Sequence, residues 1–212
     1  MAKITFYGGV GSVTGSKYLL EHNGKKILVD CGLFQGEREL RERNWHDLPF
    51  DVNSLDAVIV THAHIDHTGF LPRLVKLGFM GRVITSRATS DLLKVLLLDS
   101  ARLQEEEADY RNRHNLTSHS PALPVYNEND ARAALDRLQP VLNDGSSQQI
   151  CDDITASFRG AGHILGAIIV LVELEKARPD GSGIKFLFSG DLGQPDQPIL
   201  KNPEPPPPCD YL

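Results

Sequence analysis

The sequence is poor in the residues that mark secreted, membrane-spanning or nucleic-acid-coating proteins. It has three cysteines, Cys31, Cys151 and Cys209, and no Cys-x-x-Cys pair. That argues against a disulfide framework and a cysteine-built zinc finger, and points to a reducing, cytoplasmic setting. No apolar run approaches membrane length; Ala167–Val172 falls far short of the roughly 20 residues a span needs. The N-terminal Met-Ala-Lys-Ile-Thr-Phe-Tyr-Gly is strand-like and too polar for a signal peptide. Positive charge is scarce: 22 Lys and Arg against 28 Asp and Glu give a net charge of −6. The body is therefore no basic platform, and any grip on a polyanion must be local. With 41% hydrophobic and 24% charged residues, the chain is neither disordered throughout nor low in complexity, and 212 residues make one large domain or one and a half.

What the sequence has in plenty is proline and histidine, each concentrated. Seven of 13 prolines lie between Pro195 and the last residue. Apolar alternation and turn residues predict strands at Lys3–Tyr7, Lys17–Glu21 and Lys26–Asp30, the last two joined by Asn23-Gly24, a type I′ hairpin signal. Residues 32–53 read as irregular. Ala57–Thr61 is wholly apolar up to its last residue, as expected of a strand covered on both faces. A helix follows over Phe70–Leu77, stopped at Gly78, then a strand at Arg82–Ser86 and a long helix from Thr89 to about Tyr110, its Leu92–Leu103 stripe facing a core. Residues 111–126 read as a loop, Asn127–Leu138 as a helix, and Gln149–Phe158, Ala167–Glu173 and Ile184–Phe188 as strands. Strands, then helices, then strands suit stacked sheets with helices outside rather than one doubly wound sheet.

Residues 61–69 read Thr-His-Ala-His-Ile-Asp-His-Thr-Gly, with three of the eight histidines within six positions. In an extended segment residues i and i+2 point the same way, so His62 and His64 can reach one metal ion. Asp66 and His67 fall where the chain turns into the next helix and can face a second. Imidazoles mixed with carboxylates suit zinc or another first-row divalent ion better than calcium or magnesium. Three further residues sit at strand ends or in Gly-rich turns: His163 in Gly160–Gly166, Asp191 in Ser-Gly-Asp-Leu-Gly, and Asp30 in Leu-Val-Asp-Cys-Gly. Each has a plain reading, a solvent-facing histidine or a turn-stabilising aspartate. Asp30 can equally be a carboxylate that orients a ligating imidazole.

The run His62-Ala63-His64-Ile65-Asp66-His67 resembles the His-x-His-x-Asp-His signature of the metallo-β-lactamase superfamily, and Asp30, His163 and Asp191 fall where its first, third and fourth motifs would. Gly8–Ser16, Leu28–Gly36 and Gly160–Ala167 are similar to the β-CASP RNA-processing nucleases within it, over Lys3 to Leu212. The resemblance implies an α/β chain of the α+β sandwich kind, the four-layer αββα fold, incomplete at its C-terminus. It implies a lactamase-like domain over 1–194, with 195–212 a Pro-rich linker and strand leading towards an absent β-CASP insert. His62, His64 and His163 would hold one zinc, Asp66 and His67 a second, and Asp191 would bridge them. A hydroxide shared by ions about 3.5–4 Å apart would attack an RNA phosphodiester, with Asp66 also orienting that water. With three protein ligands the second Zn2+ site is expected to be weak, and RNA cleavage by this chain alone to be impaired.

The expected substrate is thus RNA, held weakly, with no membrane partner and a homodimer left open. Two alternatives stand beside this: a small-substrate metallo-hydrolase of the same superfamily, a thioesterase or a phosphodiesterase acting on a small ester, and a catalytically silent metal-binding or interaction fragment. The Gly8–Gly15 loop departs from a dinucleotide fingerprint and reads as a tight connection at the site rim. Glu105–Glu107 reads as a solvated helix face. The Arg111-Asn-Arg113-His114 run reads either as a guide for an RNA backbone or as a mobile cationic loop.

Overall fold

In a computed structural model, the structure describes residues 2–116 and 120–212. The first sheet has six strands in sequence order: β1 (Lys3–Gly8), β2 (Lys17–His22), β3 (Lys25–Val29), β4 (Ala57–Ile59), β5 (Arg82–Ser86) and β6 (Leu138–Val141). β1 to β3 are antiparallel, and β3 to β6 run parallel. The second sheet is antiparallel throughout, in the order β10 (Ile184–Phe188), β9 (Ile168–Leu174), β8 (Ile154–Gly160), β7 (Ser147–Cys151). Helices are α1 (Arg38–Glu42), α2 (Ile65–Thr68), α3 (Leu71–Lys76), α4 (Arg87–His114) and α5 (Glu128–Leu135).

A two-residue period divides the first sheet between two cores. Leu19, Leu28, Val58 and Val83 face α3, α4 and α5, where they meet Phe70, Leu74, Leu93, Leu97 and Ala131. Their neighbours Leu20, Ile27, Ala57, Ile59 and Ile84 face the second sheet and meet Ile154, Phe158, Val170 and Val172. Helices, first sheet and second sheet therefore form three successive layers, and the central sheet is buried on both faces, as its apolar strands require. On the far face of the second sheet, Ala161, Ala167, Ile169 and Leu187 form a small third cluster. The proline-rich segment is fastened along this sheet. The Glu204 N–H donates to the Gly160 carbonyl at 2.9 Å and Leu187 N–H to the Tyr211 carbonyl at 2.8 Å, while the Tyr211 ring stacks on Phe186.

Several boundaries differ from the sequence expectation for physical reasons. The single strand expected over Gln149–Phe158 is a hairpin, because Asp153 adopts φ +61° and reverses the chain between β7 and β8; aspartate tolerates that region better than most residues. β6, which begins at the last residue of the expected helix Asn127–Leu138, contains Pro140 and survives as an edge strand, where a missing N–H costs little. α5 ends sooner than expected and opens on a capping box between Asn127 and Asp130. α4 runs on to His114, so Arg111, Arg113 and His114 form its last turn rather than a loop; Asn115 stops it at φ +52°. Residues 117–119 of the expected loop lie outside the described residues. Of the Leu92–Leu103 stripe, Leu93 and Leu97 are buried, but Leu103 is exposed. α4 has 28 residues, about 42 Å of helix, and its later turns lean less on the sheet. Glu105 is no mere solvated residue, since it accepts from the Glu128 N–H at the start of α5.

Lys17 is the anomaly of the core. Alternation puts it on the same side of β2 as Leu19, and both are buried. Its ammonium donates to the carbonyls of Gly15 and Gly32 and lies 4.6 Å and 4.7 Å from the ring centres of Phe34 and Phe70. Burial pushes it from the ordinary 10.5 down to about 8, against a small opposing influence of the Cys31 thiol. Between those two values the unfolded chain holds the extra proton, so stability rises as pH rises through the window. Below about pH 8 the buried charge costs on the order of 3 kcal/mol. Denaturant unfolding of wild type and Lys17→Met at pH 7 and pH 10.5 should show the wild type gaining about that much on the variant. A difference independent of pH would exclude the buried-charge account.

Candidate metal centre

The centre lies at one end of the sandwich, where both sheets deliver loops. β4 ends at Ile59, and the chain passes through Thr61 and His62, both fully buried, to α2. The second sheet contributes His163 from the β8–β9 connection and Asp191 from the turn after β10. Ile168 N–H donates to the Thr61 carbonyl at 2.9 Å and so fixes one sheet against the other beside the site.

His62, His64, His163 and Asp191 each aim one donor atom at a common point, and these four atoms lie within 4.8 Å of one another. His62 Nε2 is 3.0 Å from His64 Nδ1, His163 Nε2 is 3.3 Å from His64 Nδ1, and Asp191 Oδ2 is 3.4 Å from His163 Nε2 and 3.7 Å from His62 Nε2. Ligands about 2.0–2.1 Å from a tetrahedral zinc would be about 3.3–3.5 Å apart, so the residues fit such an ion. Beside this group, His67 Nε2 lies 3.5 Å from Asp191 Oδ1 and 3.8 Å from Asp66 Oδ2. Asp191 therefore turns one oxygen to each set, and the second set is looser and has three members.

Proton positions around the site follow from donor counting. Asp30, buried and with φ +56°, accepts from Thr61 N–H at 2.8 Å, from the Thr61 hydroxyl at 2.9 Å and from His67 Nδ1–H at 2.7 Å. Thr61 has only one hydroxyl proton, so at its 3.0 Å contact with His62 Nδ1 it must accept. His62 thus carries its proton on Nδ1 and offers a free Nε2 to the common point; His67 gives its Nδ1–H to Asp30 and turns Nε2 towards Asp66 and Asp191. Burial, followed by the neighbouring imidazoles of His67, His64 and His163, drives His62 down to about 2, which keeps it neutral. Burial also opposes charge on His67, but the bond to Asp30 and the carboxylates of Asp30, Asp66 and Asp191 outweigh it and raise its pKa.

All six residues that the sequence singled out as ligands lie together here, and Asp30 lies behind them, bonded to Thr61 and His67. The Gly8–Gly15 loop is a tight connection at the rim, with Gly9, Gly11 and Gly15 at positive φ. Sequence reasoning passed over Thr61, although a hydroxyl ending a buried apolar strand is a usable signal. It also passed over Ser86, which caps α4 by accepting from the Thr89 N–H, and Thr89 itself; both hydroxyls donate to the Gly166 carbonyl, at 2.6 Å and 3.0 Å, anchoring the loop that presents His163. A Cβ on Gly166 would stand 2.5 Å from the Thr89 backbone nitrogen, and one on Gly193 would stand 1.7 Å from the Gly162 carbonyl oxygen.

Comparison with known proteins agrees with this geometry. Ribonuclease TTHA0252 of Thermus thermophilus is 34% identical over 210 residues, 99% of this chain and 42% of that protein. Transcription termination factor FttA of Cenarchaeum symbiosum is 33% identical over 194 residues, 89% of this chain and 27% of that one. Cleavage and polyadenylation specificity factor 73 of Drosophila melanogaster is 29% identical, with 94% and 26% covered. The chain thus spans less than half the length of these curated relatives. Among solved structures, a Cronobacter sakazakii metallo-β-lactamase superposes with a TM-score of 0.51 at 24% identity, over 90% of this chain and 61% of that one; this shows the shared fold. The sequence profile of the family matches residues 11–139, across β2 to β5 and the His62–His67 segment, and with it the chain is a member of the metallo-β-lactamase superfamily.

Proposed function

We propose that this chain is the metal-binding portion of an RNA-cleaving hydrolase of the β-CASP kind, holding two zinc ions, the second more weakly. The observation that carries this reading is the sharing of Asp191 between a closed four-ligand group and a looser trio with Asp66 and His67. Zinc bound there would lower the pKa of a coordinated water towards 7 and offset charge building on a phosphoryl group. The chain's own residues fix which ring nitrogen faces the site, Thr61 for a neutral His62 and Asp30 for His67, and supply a carboxylate, Asp66, at the edge of the site that can accept a proton from an attacking water. The names of the relatives from Thermus and Drosophila support RNA as the polymer.

Openness favours a polymer over a small enclosed substrate. The side chains of His163 and Asp191 remain 27% and 44% exposed. Exposed Val13, Leu165 and Leu192 stand on loops that reach or carry site residues. With three carboxylates at the centre and a net charge of −6, the grip on RNA in this chain depends on the bound cations, and affinity is expected to be low.

Zinc titration followed by a 5′-labelled RNA assay tests the reading. His64→Ala should abolish tight zinc binding at the four-ligand group, and Asp66→Asn should lower RNA turnover by at least about 100-fold while leaving that first ion bound. Turnover of a small thioester without any RNA cleavage would overturn the proposal. Asp30→Asn should weaken zinc about 10- to 100-fold by loosening the His67 and Thr61 bonds; an affinity equal to wild type would show that Asp30 has no orienting role.

A further inference from the structure

The Asp66–His67 half of the centre stands on α2, a helix of four residues. A single turn is too short to hold itself, because nucleation costs more than one hydrogen bond returns. Its orientation must come from outside. Three consecutive carbonyls of this turn point away from the ligand side chains and are each gripped by another segment. Ile65 O accepts from Leu33 N–H at 3.0 Å, Asp66 O from Ser16 N–H at 2.9 Å, and His67 O from Cys31 N–H at 2.7 Å. The two gripping segments are themselves joined, Gly32 N–H donating to Ser16 O at 3.0 Å. Packing is so close that a Cβ on Gly32 would stand 1.6 Å from the Asp66 carbonyl oxygen.

Lys17 is the side chain that ties these segments from below. Its ammonium donates to Gly15 O, next to the Ser16 that grips Asp66, and to Gly32 O, between the Cys31 and Leu33 that grip His67 and Ile65. Phe34 and Phe70 close over it from two sides. No carboxylate pairs with this ammonium among the described residues, so it has no ion-pair role there. A methionine of similar length would fill the same space without the desolvation cost. What methionine cannot do is hold two carbonyls of separate segments towards one point. We propose that Lys17 is a positioning residue for the Asp66–His67 half of the metal centre, acting through the cradle formed by Gly15–Lys17 and Cys31–Leu33. The proposal rests on the reading of the centre as a metal site, and it separates the two halves of that centre. Lys17 serves the trio, while the four-ligand group depends on Thr61, Ser86 and Thr89.

The test is calorimetric titration of the metal-free full chain with Zn2+, for wild type, Lys17→Met and Lys17→Arg. Wild type is expected to take up two ions. Lys17→Met should keep the tight first ion and bind the second at least about tenfold more weakly, with a melting temperature at pH 7 no more than a few degrees below wild type. Without metal, amide exchange at Ser16, Cys31 and Leu33 should quicken in the variant while that at Ile168 does not change. Equal affinity for both ions in wild type and Lys17→Met would overturn the proposal and leave the metal reading intact, as would a loss shared equally by both ions. Wild-type protein that binds one ion would overturn it too, and wild-type protein that binds none would overturn the metal reading as well. Should Lys17→Met fail to fold, Lys17→Arg carries the same comparison. Its planar, bulkier head can reach the two carbonyls only by displacing the Phe34 or Phe70 ring that lies against the ammonium, so the second ion alone should weaken.

Discussion

One buried carboxylate organises this end of the molecule. Asp30 sits just past the end of β3 in a left-handed conformation, and its two oxygens take three hydrogen bonds from the chain that leaves the neighbouring strand β4. Strand pairing brings them together: β3 and β4 are parallel, with Val29 opposite Ile59, so their C-terminal ends open at the same edge. An isolated carboxylate in such a place would be prohibitively costly; with its acceptor sites filled by donors it becomes a fixed point. From it the proton arrangement passes outward, through His67 directly and through Thr61 to His62. Two imidazoles from one sequence motif thereby present their other nitrogens to the site without any ion being needed to choose them.

The fold was legible where burial imposes a simple period. Ile184–Phe188 and Arg82–Ser86 were readable to the residue because apolar runs between turn residues leave little choice. Cys151-Asp152-Asp153-Ile154 was not, since its reversal depends on one aspartate adopting positive φ, and the apolar pattern continues across it. Leu138–Val141 was not read as a strand, and it holds as one through an edge position, with Pro140 inside it, that only the assembled sheet defines. Arg111 to His114 looked like a loop because the apolar stripe fades there; the helix persists by local pairs such as Glu107 with Arg111 and by the left-handed stop at Asn115.

The site was more legible than the fold, and for a chemical reason. Metal ligation needs particular side chains at particular spacings, so His62, His64, Asp66 and His67 declare themselves within six positions. His163 and Asp191 are distant in sequence and ambiguous singly; only the meeting of the sheets resolves them. The residues that hold the ligands left the faintest trace. Thr61, Ser86, Thr89 and Lys17 act on backbone carbonyls or on the far nitrogen of a ring, and no spacing rule links them to what they support.

The close approach of Gly193 to Gly162 has a mechanical consequence. Gly193 N–H is bonded to the Ala161 carbonyl at 2.9 Å, and neither glycine leaves room for a Cβ. His163 and Asp191 are therefore mounted on one rigid arm of the second sheet, as His62 and His64 are mounted on an arm of the first. An ion held by all four would act as a rivet through two plates. Backbone motion could not withdraw His163 without Asp191, because the two loops that carry them are bonded to each other. Withdrawing a whole pair of ligands would require the arms to part, and the stiffness of the joint between the sheets would resist it.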